Sequence, residues 1–165
     1  MTVDAVDVPE PLNLGLLLFI PYRSMESAVL AQLKAHGHDL PLSQARVFQR
    51  IAPDGSRLGE LARAAQLSKQ TLGSVVDQLE RAGYVSRVPD PTDARARLVV
   101  MTDLGRELVE LSLPVVREIE SAWQAHLGEA RTRELRRTLE ALQEITDPFA
   151  EVTVADQAES AKRRS

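Results

Sequence analysis

Seven polar side chains in the central third of the chain are of types suited to contacting phosphate groups and base edges. Five of them fall between positions 68 and 74, where a serine is placed to cap a helix. The other two are arginines at alternate positions in a polar, proline-rich stretch. Hydroxyls, amides and cations near a helix N-terminus reach base edges and phosphates, and arginine adds a planar, forked cation. The seven candidates are Ser68, Lys69, Gln70, Thr71, Ser74, Arg95 and Arg97.

Two short helices that meet across a tight turn should position the first five candidates. The first helix is predicted at 58–65, the turn contains Gln66, and Ser68 caps a second helix that ends before Gly83. Apolar residues recur at helical spacing in the second helix, so they should face the core and leave the polar candidates outside. These apolar residues are Leu72, Val75, Val76 and Leu79.

A small β-hairpin is predicted directly after the second helix. Residues 85–88 and 98–101 are short runs typical of strands, and residues 89–97 between them predict a polar loop that carries both arginines. The order of helix, turn, capped helix and hairpin would place one helix in the major groove and the loop near the minor groove or backbone. The alternative for all seven candidates is an ordinary solvated surface.

The remaining segments predict a mainly α-helical fold. Residues 11–36 form a helical segment that Pro21 should kink or break, and Ser43 is a candidate N-cap for the next short helix. Thr102 should cap a long helix that bends at Pro114, and a second amphipathic helix is predicted at 130–146. Two amphipathic terminal helices in so short a chain need a partner surface. The expected dimer contacts are Leu135, Leu139 and Leu142.

Charge is distributed unevenly along the 165 residues. The net charge of the chain is −4, yet residues 57–106 hold eight basic and six acidic side chains, a local net charge of +2. This modest asymmetry supports an anionic partner for the central segment. The absence of cysteine excludes disulfides, thiolate metal sites and cysteine nucleophiles.

Metal and enzymatic chemistry have little support in the sequence. There is no convergent acid–base pair, no nucleophile with a base and no glycine-rich phosphate loop, so neither an enzyme nor a cofactor is predicted. The histidines lack paired spacing on one helix and any cysteine partner, which argues against a zinc site. They are His36, His38 and His126.

A cytoplasmic location and no membrane association are expected. Acidic residues stand near the N-terminus where a signal peptide would need positive charge, and the apolar run Leu14–Ile20 is too short to span a bilayer.

The stretch LGELARAAQLSKQTLGSVVDQLERAGYVSRVPDPTDARARLVVMTDLGREL, residues 58–108, is the most distinctive part of the sequence. Its spacing of Leu-Glu, Gly-Tyr-Val, Pro-Asp-Pro, Asp-x-Arg and Met-Thr-x-x-Gly resembles the MarR family of transcriptional regulators. The resemblance extends over about residues 12–147. It implies a winged helix-turn-helix core with a small β-hairpin wing at about 43–101, flanked by dimerisation helices at about 11–36 and 102–146. Residues 1–10 are then expected to be a flexible N-terminus, and 148–165 a polar, frayed tail.

The resemblance also implies roles for particular residues and partners. The helix at 68–82 would enter the major groove of double-stranded DNA, and Arg95 and Arg97 would lie in or beside the minor groove. Asp93 would orient these arginines, or it is merely a turn former. The chain would be a homodimeric repressor of a palindromic operator, relieved by a small aromatic or anionic effector.

Five residues combine apolar walls with a cation and are candidates for an effector pocket. The alternative is that they belong to the core or the dimer interface, as aromatic residues at helical spacing commonly do. They are Phe19, Tyr22, Arg23, Phe48 and Trp123.

The chain departs from the family pattern at two positions of the second helix. Gly73 and Ser74 stand where relatives commonly carry a hydroxyl residue and an arginine. Gly73 therefore reflects either a close approach of the backbone to DNA or simple drift, and affinity should rely more on Arg95 and Arg97, with a shallower salt dependence. The weakly basic helix leaves a second hypothesis. The chain is then either a winged-helix module that binds protein or a DNA-binding protein that has no small-molecule effector.

Overall fold

Helix caps and turn residues divide residues 11–147, the part of the chain that the computed structural model describes, into helices and strands. The predicted flexible N-terminus at 1–10 and the polar tail at 148–165 lie outside the described residues. In chain order the elements are α1 (Leu14–Ala35), α2 (Leu42–Phe48), β1 (Ser56–Arg57), α3 (Leu58–Ala64), α4 (Lys69–Arg81), β2 (Val85–Asp90), β3 (Asp93–Met101), α5 (Asp103–Leu127) and α6 (Glu129–Thr146).

Side-chain caps start two of the helices where the sequence predicts them. Ser68 Oγ accepts the amide of Thr71 at 3.1 Å, and Thr102 Oγ1 accepts the amide of Gly105 at 3.1 Å. The predicted Ser43 cap is wrong, because α2 begins at Leu42 with Pro41 as its N-cap residue. Proline already has a φ suited to a helix start, and its carbonyl accepts the first amides of α2.

Neither internal proline ends its helix. The break considered at Pro21 does not occur, since α1 continues through it for 22 residues, and α5 continues through Pro114 for 25 residues. A proline removes one backbone hydrogen bond, and α1 packs along α5, which supports the turns on both sides.

The first helix is more apolar as a whole than its longest apolar run indicates. By length and composition alone, α1 is able to cross a membrane, with a mean hydropathy of 1.3 over its most apolar 18 residues. The expectation that no segment spans a membrane was based on Leu14–Ile20, which is shorter than the helix that forms. None of that 18-residue stretch is fully buried within the single chain, and its exposed apolar side chains, among them Leu14, Leu17 and Phe19, are available to a further surface.

The sheet is antiparallel with the order β1-β3-β2. The predicted strands are present, but the loop predicted at 89–97 is wrong, because pairing extends from Val85↔Met101 to Pro89↔Arg97 and, after a register shift, resumes at Asp90↔Asp93. Only two residues, Pro91 and Thr92, connect β2 and β3. A proline at position 89 is tolerated because β2 is an edge strand, where a missing N–H breaks no ladder between two neighbours.

One core lies beneath the central helices and the base of the hairpin. The apolar face predicted for α4 is confirmed, since Leu72, Val76 and Leu79 are fully buried and Val75 nearly so. The core is completed by α2, α3, the sheet and the start of α5. Its largest fully buried side chains are Val47, Ile51, Leu61, Leu72, Val76, Leu79, Val85, Val99 and Leu108.

Candidate nucleic-acid interface

The N-terminal half of α4 presents polar side chains outward from a firmly buried base. Ser68, Lys69, Gln70, Thr71 and Ser74 are all exposed. On the opposite side of the helix, α2 and α3 pack against it. The structure therefore brings the five predicted residues of this helix together on one solvent-facing surface next to a helix N-terminus, whose free amides favour anions.

Hydrogen bonds order part of this surface. The Ser68 and Thr71 hydroxyls lie 2.8 Å apart, in addition to the capping bond between Ser68 and the Thr71 amide. Farther along, Gln78 accepts a hydrogen bond from Gln44 Nε2 at 2.9 Å, which connects α4 to α2. Lys69 forms no ion pair within residues 11–147, so its ammonium group is available to a phosphate.

Arg95 and Arg97 lie on a strand, not on the loop that the sequence predicted. Both belong to β3. Arg97 lies opposite Pro89, whereas Arg95 lies in the register shift between the Pro89↔Arg97 and Asp90↔Asp93 pairs. Both side chains are exposed, and neither guanidinium takes part in an ion pair within the described chain. The hairpin therefore carries two exposed cations near its tip.

Asp93 makes a local contact with the backbone. Its Oδ1 accepts the amide of Arg95 at 3.0 Å, the bond typical of an aspartate that stabilises a turn. In the part of the chain that the structure describes, no ion pair joins Asp93 to either wing arginine. Its geometry thus fits the turn-forming alternative, and it acts on Arg95 through the backbone.

A tether at the base of the hairpin was not identified from the sequence. Asp90 is 5% exposed and accepts hydrogen bonds from the Thr92 amide at 2.8 Å, the Thr92 hydroxyl at 2.7 Å and Arg57 Nε at 2.7 Å. The Thr92 bonds, together with Arg57, lower the pKa of Asp90 from its ordinary 3.8 to about 2. The Pro-Asp-Pro sequence signalled a turn, but nothing in it pointed to Arg57.

A second missed contact neutralises acidic side chains on α4. Arg87, on β2, pairs with Asp77 at 2.6 Å and closely with Glu80, and its amide donates to Glu80 Oε1 at 3.1 Å. Arg57 and Arg87 are therefore engaged within the chain. Of the local basic residues, Lys69, Arg95 and Arg97 are better placed to meet an external anion.

The five residues predicted to form one effector pocket are not brought together. Tyr22 and Phe48 line a cavity of about 180 Å³ between α1, α2 and α5. Trp123 instead lines an open groove between α5 and α6. Arg23 lies over the Phe19 ring at 5.6 Å, a cation–π contact outside the lining of either space.

The predicted dimer residues share a surface with an apolar groove. Leu135, Leu139 and Leu142 are 41%, 39% and 40% exposed, and all three line the groove of about 630 Å³ beside Leu18 of α1. Helix α6 has no buried residue in the single chain. Its amphipathic stripe is therefore left open.

Metal chemistry has no candidate centre within residues 11–147. No group of three or more histidine, aspartate or glutamate side chains in that range is arranged to hold a metal ion. His38 instead lies 3.3 Å from the Tyr84 hydroxyl and 3.6 Å from Glu107 Oε1.

Comparison with known proteins identifies the family and supports the fold. A model of the MarR family matches residues 38–96. The HTH-type transcriptional repressor Rv2887 of Mycobacterium tuberculosis is 32% identical over 129 residues, which cover 78% of this chain and 92% of the repressor. A transcriptional activatory protein, BadR of Rhodopseudomonas palustris, is 37% identical over 95 residues, or 57% of this chain. That match spans about half, 53%, of the length of BadR.

Solved structures extend the likeness over most of the chain. The structure of MarR superposes with a TM-score of 0.67 and 25% identity, over 84% of this chain and 94% of MarR. The structure of Rv2887 in complex with salicylic acid superposes with a TM-score of 0.57 and 29% identity, over 82% of this chain and 99% of Rv2887. Matching sequence, helix order and wing together show that the chain belongs to the MarR family of winged-helix transcriptional regulators.

Proposed function

We propose that this regulator is a homodimeric, cytoplasmic repressor that binds a palindromic operator through α4 and the wing and is released by a small aromatic molecule. The observation that carries the DNA-binding part is the presence of an exposed, capped helix N-terminus together with two ion-pair-free arginines near the tip of the adjacent hairpin. A helix fits the major groove, and arginines on an adjacent hairpin reach the backbone or minor groove.

Homodimerisation is supported by the open apolar faces at both ends of the chain. Leu135, Leu139 and Leu142 surround a groove with Leu18, and α1 adds further exposed apolar side chains. A contiguous apolar patch of this kind marks an interaction surface. A second copy, packed by a two-fold axis, would cover both faces and present two wings to half-sites about 10 bp apart.

Repression is favoured over activation by the relative with the fuller match. Rv2887 is described as a repressor and matches over most of its length, whereas BadR is described as an activator and matches over about half of its length. The complex of Rv2887 with salicylic acid, together with the cavity between α1, α2 and α5, supports an aromatic effector. On this proposal the chain acts by binding DNA and an effector, and it is not an enzyme.

Anisotropy titration with DNA from the regulator's own upstream region tests DNA binding. We expect the Arg95→Ala/Arg97→Ala variant to lose roughly 10- to 100-fold in affinity and to reduce the slope of log affinity against log salt by about 2. The matched control is Arg117→Ala/Arg131→Ala, which removes two exposed charges outside the wing and should bind as the unmodified protein does.

Two results would overturn the proposal. Equal loss of DNA affinity in the two double variants would mean that Arg95 and Arg97 act only through their charge, and not through their position on the hairpin. Binding to the upstream DNA no tighter than to random DNA, followed by failure of a genome-wide selection to recover an operator, would favour the protein-interaction module instead. The weakly basic recognition helix, with Asp77 and Glu80 held by Arg87, is the feature that favours that second candidate.

A further inference from the structure

The cavity between α1, α2 and α5 has the size and lining expected for one aromatic ring. Its volume is about 180 Å³, and Val29, Leu33, Leu40, Phe48 and Val109 form much of its wall. An apolar protein cavity of about 150 Å³ is large enough to bind benzene. A single-ring ligand therefore fits without rearrangement of the core.

The polar side of this cavity is already occupied by an internal ion pair. Arg46 donates to Glu26 through Nε at 2.9 Å and through Nη2 at 3.1 Å. The Tyr22 hydroxyl donates to Glu26 Oε1 at 3.1 Å, and Gln49 donates to the Tyr22 oxygen at 3.3 Å. Four side chains, from α1, α2 and the residue that follows α2, thus form one hydrogen-bonded chain along the cavity.

Glu26 is held in its charged form and mostly withdrawn from solvent. Its side chain is 10% exposed, while that of Arg46 is 47% exposed. The hydrogen bond from Arg46, with a further one from Tyr22, keeps the pKa of Glu26 below its ordinary value despite burial. Among the described residues that line the cavity, Glu26 and Arg46 alone are charged, so the lining is electrically neutral.

This arrangement penalises an anionic ligand. A ligand carboxylate that paired with Arg46 through Nε and Nη2 would have to displace Glu26, which would leave a mostly buried carboxylate without its cation, and one bound elsewhere in the cavity would be repelled by Glu26. Removing one partner from such a pair is far more costly than leaving the pair intact. A neutral hydroxyl or amide can instead hydrogen-bond to Tyr22 or Gln49 while the ion pair stays in place.

We propose that Glu26 is a specificity-determining residue, which makes this cavity select neutral, hydrogen-bonding single-ring aromatics over aromatic carboxylates. The inference rests on the proposed effector-binding function, and it identifies the chemical class of the effector. It separates the two classes, aromatic and anionic, that the sequence left open.

The test compares two ring compounds of nearly equal shape, 4-fluorobenzamide and 4-fluorobenzoate, by fluorine NMR titration of the full chain without DNA. We expect the amide to bind the unmodified protein at least about 10-fold more tightly than the carboxylate, since breaking the pair costs at least the equivalent of one factor of ten. Methyl resonances of Val29, Leu33 and Val109 report whether binding occurs in this cavity.

The Glu26→Gln variant should largely abolish the preference. Glutamine keeps the shape and removes the charge, so Arg46 becomes available and benzoate binding should tighten by about 10-fold, with amide binding changed by less than about 2-fold. Glu134→Gln, at an exposed residue of α6 paired with Arg137, is the matched control and should leave both affinities unchanged.

Equal or tighter binding of the carboxylate to the unmodified protein overturns the inference, as does an unchanged ratio in Glu26→Gln. Failure of both compounds to shift the cavity methyls at about 10 mM also overturns it, because the cavity would then not admit a ring. These outcomes are separate from the operator titration, which is done without ligand. If the amide binds selectively but does not release DNA, the selectivity stands and the effector role in the proposed function fails.

Discussion

The central winged helix-turn-helix, residues 42–101, and the terminal helices bury their apolar side chains to very different extents. In the central unit, Ile51, Leu72 and Val76 are 0% exposed. In α6, by contrast, no residue is buried, and Ile145 is 81% exposed. The difference teaches that the central unit completes its core within one chain, whereas the terminal helices leave apolar faces for another surface.

The largest expected effect is on stability, and it is measured by one pair of variants, one in the central unit and one in α6. Leu72→Ala should lower the free energy of unfolding by about 2–5 kcal/mol, because it leaves a cavity in a close-packed core. Leu139→Ala should cost less than about 1 kcal/mol in dilute protein, where its partly exposed side chain has few neighbours.

Urea unfolding at low and high protein concentration measures both variants. Leu139→Ala should reduce the concentration dependence of the midpoint, since it weakens the proposed dimer, while Leu72→Ala should shift the midpoint at every concentration. A large concentration-independent loss in Leu139→Ala would break the comparison, because α6 would then be stabilised within the chain.

The next effect concerns the junction of the two regions. Thr102 caps α5 and also donates from Oγ1 to the Gly83 carbonyl at 2.5 Å, at the end of α4. Thr102→Ala should therefore cost about 0.5–2 kcal/mol. Thr102→Ser keeps the hydroxyl and should retain most of the stability in the same thermal unfolding measurement. Equal losses would show that the methyl group, and not the hydroxyl, matters.

A smaller effect of opposite sign is expected inside the recognition helix. A Cβ added at Gly73 would meet no atom within 4 Å, so Gly73→Ala should raise the free energy of unfolding by about 0.5–1 kcal/mol. Gly59→Ala is the comparison for the effect on stability, because Gly59 is also a helical glycine, in α3, and an added Cβ would make only an ordinary contact with the Lys69 side chain. Operator affinity of Gly73→Ala decides between drift, where it is unchanged, and close approach to DNA, where it falls.

The smallest effect on stability is expected only at acidic pH. Because the pKa of Asp90 is lowered to about 2 from its ordinary 3.8, the folded chain resists protonation of Asp90 more than the unfolded chain does. Its contribution to stability is complete above about pH 4 and is lost as the pH falls toward 2. Comparison of Tm for the unmodified protein and Asp90→Asn should show a difference that shrinks over this range. A constant difference would exclude the Asp90 charge as its source.

Much of the central unit could be predicted because its signals are local. The buried face of α4 follows from apolar residues at helical spacing, and the caps at Ser68 and Thr102 follow from hydroxyl residues that precede such runs. Gly105, one of the residues that carried the family resemblance, also has a physical reason. A Cβ there would overlap the Tyr84 carbonyl, so the first turn of α5 can pack closely only on glycine.

The contacts that were missed join residues far apart in the sequence. Arg57 and Asp90 are 33 positions apart, and Arg46 and Glu26 are 20 apart, so no periodicity connects them. The outer parts of β2 and β3 were missed because they are polar and proline-rich, so the pairing that extends them leaves no periodic apolar signal in the sequence. The aromatic candidates could be identified, but the separation of Tyr22 and Phe48 from Trp123 into two spaces depends on how α1, α5 and α6 pack.

The continuity of α5 has a mechanical consequence. Its 25 residues form a rod about 37 Å long, at 1.5 Å per residue, which starts beside the end of α4 and ends where α6 begins. At that end Thr102 donates to the Gly83 carbonyl and Gly105 packs against the Tyr84 carbonyl. Because Gly83 and Tyr84 directly follow α4, we expect α4 to move with this end of α5. A tilt of only about 5° moves it by roughly 3 Å, close to the ~3.4 Å step between successive bases of one strand. In the proposed dimer, a rotation of this size at the far end would be enough to take the two copies of α4 out of register with the operator half-sites.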